Sequence, residues 1–347
     1  GKETVHDIDF IVASKLPDEI INEFTKMADV SSVISKGKTK SSVYLKNGIQ
    51  CDLRVVSNSE FPFALNYFTG SKAHNVRMRS LAIKKGYSLN EYALSSKDKK
   101  VKNDIHDESN LYETLGLSFI HPALREDQGE IEAAEIFNLP NLVKIENLKG
   151  TFHNHTTDSD GKNSLDEMAE AASELGLQYL GISDHSKSSV QANGLSEERL
   201  IKQIKDISQY NETNKNDIKI FSGVECDILK DGSLDYDESI LSQLDYCVAS
   251  VHSSFSLSED EMTQRVIRAI ESPFVTMIGH LTGRLLLLRK PYDINVSKII
   301  ERGKKCNHTY SNNKPNRLDW NNSIKIHCSI RKHNTVGKKN TIYGSTR

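Results

Sequence analysis

T-F-H-N-H-T-T-D-S-D-G, residues 151–161, sets two histidines one residue apart, followed by two aspartates and a glycine. On an extended segment side chains alternate with period two, so His153 and His155 project from one face. Such a pair is either a polar loop edge or the start of a metal site. The choice depends on whether similar residues recur at equivalent places, and they do. Asp184-His185 follow Y-L-G-I-S, Glu225 follows F-S-G-V, His252 follows C-V-A-S-V and His280 follows T-M-I-G. Each apolar strand pattern ends in a histidine or an acid at its carboxyl end. Between the strands lie helical patterns: Ser164 and Glu167 form an S-x-x-E capping box opening a helix that Gly176 ends, and Leu200, Ile204 and Ile207 repeat at helical spacing. Repeated β/α units from residue 150 predict a parallel sheet wound into a barrel, with the strand ends converging on one face. Mixed His/Asp/Glu donors without thiolate suit Mn²⁺, Zn²⁺ or Fe²⁺. So many donors predict a multinuclear site, able to activate water and clamp a phosphoester.

The rest of the chain constrains this reading. Its 347 residues leave room for two domains, and 37% hydrophobic with 27% charged residues is an ordinary globular composition. No apolar run approaches the ~18 residues of a membrane helix. L-L-L-L at 285–288 is short and flanked by Arg284, Arg289 and Lys290. No secretory signal is visible, and Cys51, Cys226, Cys247, Cys306 and Cys328 form no C-x-x-C pair. Reduced thiols, a cytoplasmic location and a monomer with no membrane partner are expected. The net charge of −2 hides a basic stripe: residues 71–102 carry nine Lys/Arg against Glu91 and Asp98, a pattern able to follow a phosphate backbone.

Upstream, V-H-D-I-D-F-I-V and I-Q-C-D-L-R-V-V alternate as strands within residues 1–56, and helical patterns fill 60–135. Asp7 and Asp9 share a face of the first strand and Asp52 lies on the second. Three carboxylates on neighbouring strands are an arrangement that binds two Mg²⁺ or Mn²⁺ ions for nucleotidyl transfer. The chain opens with Gly inside a strand pattern, so an upstream part is expected to be missing. Residues 138–149 read as a linker. The tail after 301 has eight Asn, few apolar residues and no period.

Two resemblances follow from these motifs. H-x-H…D, S-D-H, G-V-E, S-V-H-S and G-H-x-T-G-R, in this order over 150–300, resemble the PHP (polymerase and histidinol phosphatase) family. That implies a distorted β/α barrel with up to three metal ions hydrolysing phosphoesters. By position His153, His155, Asp160, His185, Glu225, His252 and His280 match the ligands, Arg284 a phosphate contact, and Asp184 a residue that supports the ligands. Family members close the site with a late D-x-H pair, which 301–347 lack. N-K-P-N-R-L-D-W (313–320) still resembles the segment before it, so a frame error or truncation is one explanation, and His308, His327 and His333 are the substitutes at hand.

F-A-L-N-Y-F-T-G-S-K-A-H-N-V-R-M-R-S-L-A-I-K-K-G-Y-S-L-N-E-Y-A-L (63–94) resembles the thumb entrance of the family X DNA polymerases, and 108–126 continues the likeness. This implies that Tyr67 and Phe68 face the nucleotide sugar, with Gly70 and Ser71 in the same motif, and that Asn75 contacts the base or minor groove. Lys72, Arg77, Arg79, Lys84 and Lys85 would then track DNA phosphates, where affinity depends on salt. His6 stands where the family has Gly before D-x-D. The expected architecture is α/β: a partial polymerase palm (1–56, β-sheet), an α/β thumb (57–137), a linker (138–149), a PHP barrel (150–300) and a divergent tail (301–347). The expected function is DNA polymerase with 3′-5′ exonuclease, acting on gapped or 3′-ended DNA and dNTPs in repair. The alternatives are a histidinol-phosphatase type of phosphatase and a catalytically incomplete DNA-binding remnant.

Overall fold

The computed structural model describes residues 4–96, 105–213 and 217–306, together with the backbone of 326–327. The chain divides into two units, Gly1–Leu142 and Val143–Arg347, so the division falls within the segment read as a linker.

In the first unit β1 (Asp7–Ala13) pairs in parallel with β4 (Gln50–Val56). Antiparallel β3 (Lys40–Leu45) and β2 (Val30–Lys36) complete the order β1-β4-β3-β2. The alternating patterns at both ends of 1–56 are strands, but residues between them form a helix, α1 (Pro17–Lys26). Pro17 sits at its first turn with Asp18 and Glu19 beside the positive end of the helix dipole. Ile21 drives α1 onto Leu53 and Val55.

The segment read as uniformly helical, 60–135, is more broken than its pattern. It holds α2 (Phe61–Thr69), α3 (Lys72–Lys84), a hairpin of β5 (Tyr87–Leu89) and β6 (Leu94–Ser96), then α4 (Glu108–Thr114) and α5 (Glu130–Glu135). The hairpin forms because the Asn90 side chain accepts from the backbone N–H groups of Tyr92 and Ala93, both at 2.9 Å, closing a local turn. The Glu-rich stretch is helical only from Glu130. Its carboxylate is already engaged by the N–H groups of Asp127 and Gln128 at 2.9 and 2.7 Å, which holds the preceding residues in a loop. Met78, Leu111, Tyr112, Leu115 and Ile120 are fully buried at the centre of this part.

The second unit follows its predicted β/α alternation. Strands β7 (Gly150–Asn154), β8 (Tyr179–Ile182), β9 (Lys219–Asp227), β10 (Tyr246–Ser250), β11 (Met277–Gly279) and the two-residue β12 (Ile326–His327) lie side by side in chain order, all parallel. Helices α6 (Leu165–Glu174), α7 (Glu197–Thr213), α8 (Glu238–Leu241) and α9 (Glu259–Glu271) make the crossovers, and α10 (Val296–Cys306) follows β11. Adding each strand to the same edge is barrel-type winding rather than the reversal of a doubly wound sheet. The sheet also curls. In a flat sheet β7 and β10 stand about 14 Å apart, yet Phe152 and Tyr246 have ring centroids 4.9 Å apart. Phe152, Phe221, Tyr246, Val248 and Met277 pack together inside that curl. The Ser164/Glu167 capping box starts α6 as its sequence predicted. Among the described residues no helix is long and apolar enough to cross a membrane.

Candidate functional site

The carboxyl ends of β7 to β11 place the histidines around one residue, Glu225, whose side chain is fully buried on β9. Its Oε1 lies 2.9 Å from His153 Nε2, 3.2 Å from His252 Nε2 and 2.8 Å from His280 Nε2. Its Oε2 lies 3.4 Å from His155 Nε2 and 3.1 Å from His185 Nδ1. Asp160 completes the rim, 3.6 Å from His155 and 3.5 Å from His185. His153, at the end of β7, and His280, after β11, have ring centroids only 5.9 Å apart, so the curl of the sheet assembles the cluster. Gly161 allows the 156–161 loop to fold back over His155, because a Cβ there would stand 2.3 Å from the His155 carbonyl oxygen.

Three overlapping groups here can hold a metal ion: His153/His155/Glu225, His155/Asp160/His185 and His185/Glu225/His252, with the donor atoms of each within 4.8 Å of one another. The donors are nitrogen and carboxylate oxygen without thiolate. Glu225 Oε2 is buried and makes no hydrogen bond among the described residues. An acceptor kept dry in this way, between two imidazoles, fits a divalent cation.

The electrostatics keep most of the donors in their metal-binding form. Burial pushes His155 below its ordinary value and takes His185 down to about 4. Burial alone would favour a protonated Glu225, but hydrogen bonds with His153, His252 and His280 hold it well below the usual carboxylate range. His252 behaves differently. Burial pulls it down, and the carboxylates of Asp227 and Glu225 more than offset this, raising it to about 9.

Two supporting carboxylates surround the cluster. Asp184, which sequence reasoning placed behind the ligands, is 1% exposed. It accepts from Thr156 N at 2.8 Å, Thr156 Oγ1 at 2.7 Å, Gln203 Nε2 at 2.6 Å and Ser159 Oγ, fixing the loop that carries Asp160. Asp227 was missed. It hydrogen-bonds His252 Nδ1 and accepts from Ser189 Oγ at 3.1 Å, leaving His252 Nε2 aimed at Glu225. The signal was available, since Asp227 stands two residues after Glu225 on the same strand and so shares its face. Gln203 was also missed; it is a lone polar residue on the buried stripe of α7 between Leu200 and Ile207. Arg284 is exposed beyond His280. His308 and His333 lie outside the described residues.

In the first unit the register pairs Asp9 with Asp52 across β1 and β4, with Asp7 one period away on β1. Asp9 is raised by burial and by its neighbours Asp7 and Asp52. Asp52 is lowered: hydrogen bonds from Gln50 and Ser42 and the charge of Lys40 outweigh its burial. Tyr67 and Phe68 meet edge to face at 5.0 Å. The Arg79 guanidinium lies 5.1 Å over Tyr67, and that of Arg54 5.1 Å over Phe68. Asn75 donates to the Tyr67 carbonyl at 2.7 Å, Gly70 takes φ 71°, and Ser71 caps α3 through the His74 N–H. Phe63, Asn66, Tyr67, Asn75, Met78 and Arg79 line a small pocket.

The basic stripe is not uniform. Arg77 is paired with Asp127 at 3.3 Å and with Glu132, and Lys85 donates to the Leu115 carbonyl. Arg77 and Lys85 thus already have partners within the unit, although Lys85, like Lys72 and Lys84, is exposed.

Fold and donor set together define the second unit as a PHP domain, and residues 151–310 match the PHP domain family. Residues 64–126 match the DNA polymerase beta thumb. In both matched segments the chain is similar to family X DNA polymerases that carry a PHP domain. It is 39% identical over 322 residues to the DNA polymerase/3'-5' exonuclease PolX of Bacillus subtilis, covering 92% of this chain and 56% of that protein. A probable phosphatase of Thermoanaerobacter is 30% identical over 157 residues, 44% of this chain and 59% of that protein. The Repair DNA polymerase X of African swine fever virus is 29% identical over 131 residues, 36% of this chain and 75% of that protein. The chain thus spans little more than half the length of the bacterial relatives it matches.

Proposed function

We propose that the second unit hydrolyses DNA phosphodiesters from 3′ ends and that the first contributes to nucleotidyl transfer during repair synthesis. The observation that carries this is the joining of a polymerase thumb to a PHP domain whose histidines surround Glu225. In this reading residues 1–56 are palm, 57–137 thumb, 138–149 linker and 150–300 the PHP barrel. His153, His155, Asp160, His185, Glu225, His252 and His280 hold two or three ions of Mn²⁺, Zn²⁺ or Fe²⁺. Such ions lower the pKa of water toward ~7 and neutralise phosphate charge. The protein's own contribution is to fix the donors: Asp227 orients His252, Asp184 ties down the Asp160 loop, and Arg284 meets the phosphate. Asp7, Asp9 and Asp52 bind Mg²⁺ or Mn²⁺ at the polymerase site. Tyr67, Phe68, Gly70, Ser71 and Asn75 face the nucleotide, and Lys72, Arg79 and Lys84 face DNA. The chain acts as a cytoplasmic monomer.

The test compares a 3′-tailed oligonucleotide with a phosphomonoester, each with Mn²⁺. Hydrolysis of the oligonucleotide supports the proposal. Hydrolysis of the monoester alone transfers the site to the second reading, a small-molecule phosphatase, which the likeness to a probable phosphatase over 157 residues favours.

A further inference from the structure

Immediately after His280 the chain makes a small, firmly anchored hairpin with an unexplained tip. Gly283 N–H donates to the His280 carbonyl at 2.8 Å, and Leu285 and Arg289 exchange backbone hydrogen bonds at 3.0 and 2.9 Å. Tyr292 fixes the base through its OH, which donates to the Leu281 carbonyl at 2.7 Å. Its ring lies where a Cβ on Gly283 would come within 2.4 Å. Tyr292 stacks on Phe255 at 17°, and the Arg289 guanidinium covers Phe255 at 4.2 Å while donating to the Gly283 carbonyl. Anchored in this way, the hairpin presents Leu287 at 91% and Leu288 at 69% exposure. Leu287 also adopts φ 64°, a left-handed conformation that L-residues other than Gly, Asn and Asp rarely take. A large apolar side chain in a strained conformation, facing water, contributes nothing to the fold. Breaking two local rules at one residue beside a functional cluster marks that residue for a role in function.

We infer that the Leu287–Leu288 tip is a wedge that packs against the terminal nucleobase of a DNA 3′ end and unstacks it as the end enters the metal cluster. This rests on the second unit acting on DNA. Two observations and one general precedent choose this occupant. The hairpin continues directly from a candidate ligand, and seven residues span at most about 25 Å, the length of a few nucleotides. Arg284, Arg289 and Lys290 flank the leucines without an acid until Asp293, matching a phosphate backbone on either side of a base. Apolar side chains inserted between base steps are an established way to unstack DNA.

The test uses wild type, Leu287→Ala/Leu288→Ala and Leu287→Gly. Both leucines are exposed, so the variants keep the fold, and the glycine variant relieves the left-handed strain. A duplex with 2-aminopurine at the 3′ terminus is titrated with protein in Ca²⁺, without turnover. Wild type should raise the fluorescence several-fold, and both variants should lose most of that rise at an unchanged or higher Tm. With Mn²⁺, KM for a paired 3′ end should rise about tenfold in the double variant, the loss of about one leucine contact. Hydrolysis of bis-p-nitrophenyl phosphate, which has no base, should stay at the wild-type rate. Equal fluorescence responses in wild type and variants would overturn the wedge. So would binding to anionic phospholipid vesicles that disappears in the double variant, because the tip would then be a membrane contact. A wild type inactive on bis-p-nitrophenyl phosphate and on oligonucleotides alike would instead overturn the phosphoesterase reading, and the Ca²⁺ titration would still judge the wedge.

Discussion

Replacing Asp227 tests whether the cluster is organised as a metal site by residues behind the ligands. Asp227 hydrogen-bonds His252 Nδ1, and Ser189 Oγ donates to it at 3.1 Å. Asp227→Asn keeps an acceptor of the same shape and removes the charge. Asp227→Ala removes the acceptor too, leaving His252 Nδ1 held only by the longer contact with Ser189 Oγ at 3.4 Å. Groups that orient metal-ligating histidines are worth about 10–100-fold in metal affinity. The Asn variant should therefore lie near about tenfold, roughly 1.4 kcal/mol, and the Ala variant nearer about a hundredfold. Titration with Mn²⁺, following free Mn²⁺ by its paramagnetic resonance signal, measures this directly. The Tm of the metal-free variants separates loss of affinity from loss of fold. Wild-type affinity in Asp227→Ala would refute the reasoning, because His252 would then need no carboxylate to face Glu225.

Three further outcomes follow from the same geometry. Asp184→Ala leaves Thr156, Ser159 and Gln203 without their buried acceptor and should destabilise the second unit by about 3 kcal/mol, read from urea unfolding. In the first unit, burial lowers His74, and Glu130 is lowered because hydrogen bonds from His74 and from the Asp127 and Gln128 backbone outweigh its burial. In both cases the unfolded chain takes up its proton first as pH falls. The stabilisation is therefore complete above the ordinary histidine value and is lost as pH drops through that range and then the carboxylate range; urea midpoints measured against pH should fall, and His74→Gln should flatten the upper part of the decline. Lys72→Ala and Lys84→Ala should each reduce the salt slope of DNA binding by about 1, whereas Arg77→Ala, already paired with Asp127 and Glu132, should change it little.

The second unit was largely legible because its chemistry repeats with its architecture. Each strand pattern ended in a donor, and parallel β/α winding brings strand ends together whatever the loops do. Asp227 and Gln203 were not legible by the same rule. Asp227 touches the candidate donor His252 and Gln203 only the carboxylates of Asp158 and Asp184 behind the cluster, and nothing in the residue type separates such a carboxylate or amide from an ordinary buried polar group. The first unit was less transparent. α1 lay between two clear strands, where Pro17 and the first-turn acids were the only helix signals. The β5–β6 hairpin depended on the Asn90 side chain rather than on any period. Charge alone could not show that Arg77 and Lys85 have partners within the unit, because Asp127, Glu132 and Leu115 are distant in sequence. The late D-x-H pair has no counterpart in residues 301–347, so the account depends on the donors from His153 to His280.

The most direct test is the metal content of the purified chain after equilibration with Mn²⁺, measured by elemental mass spectrometry beside Glu225→Ala. Glu225 touches five imidazoles, so the account predicts about two to three ions per wild-type chain and at least one fewer in the variant, with Mn²⁺-stimulated oligonucleotide hydrolysis lost. Fewer than two ions in the wild type, or an undiminished count in Glu225→Ala, would contradict it.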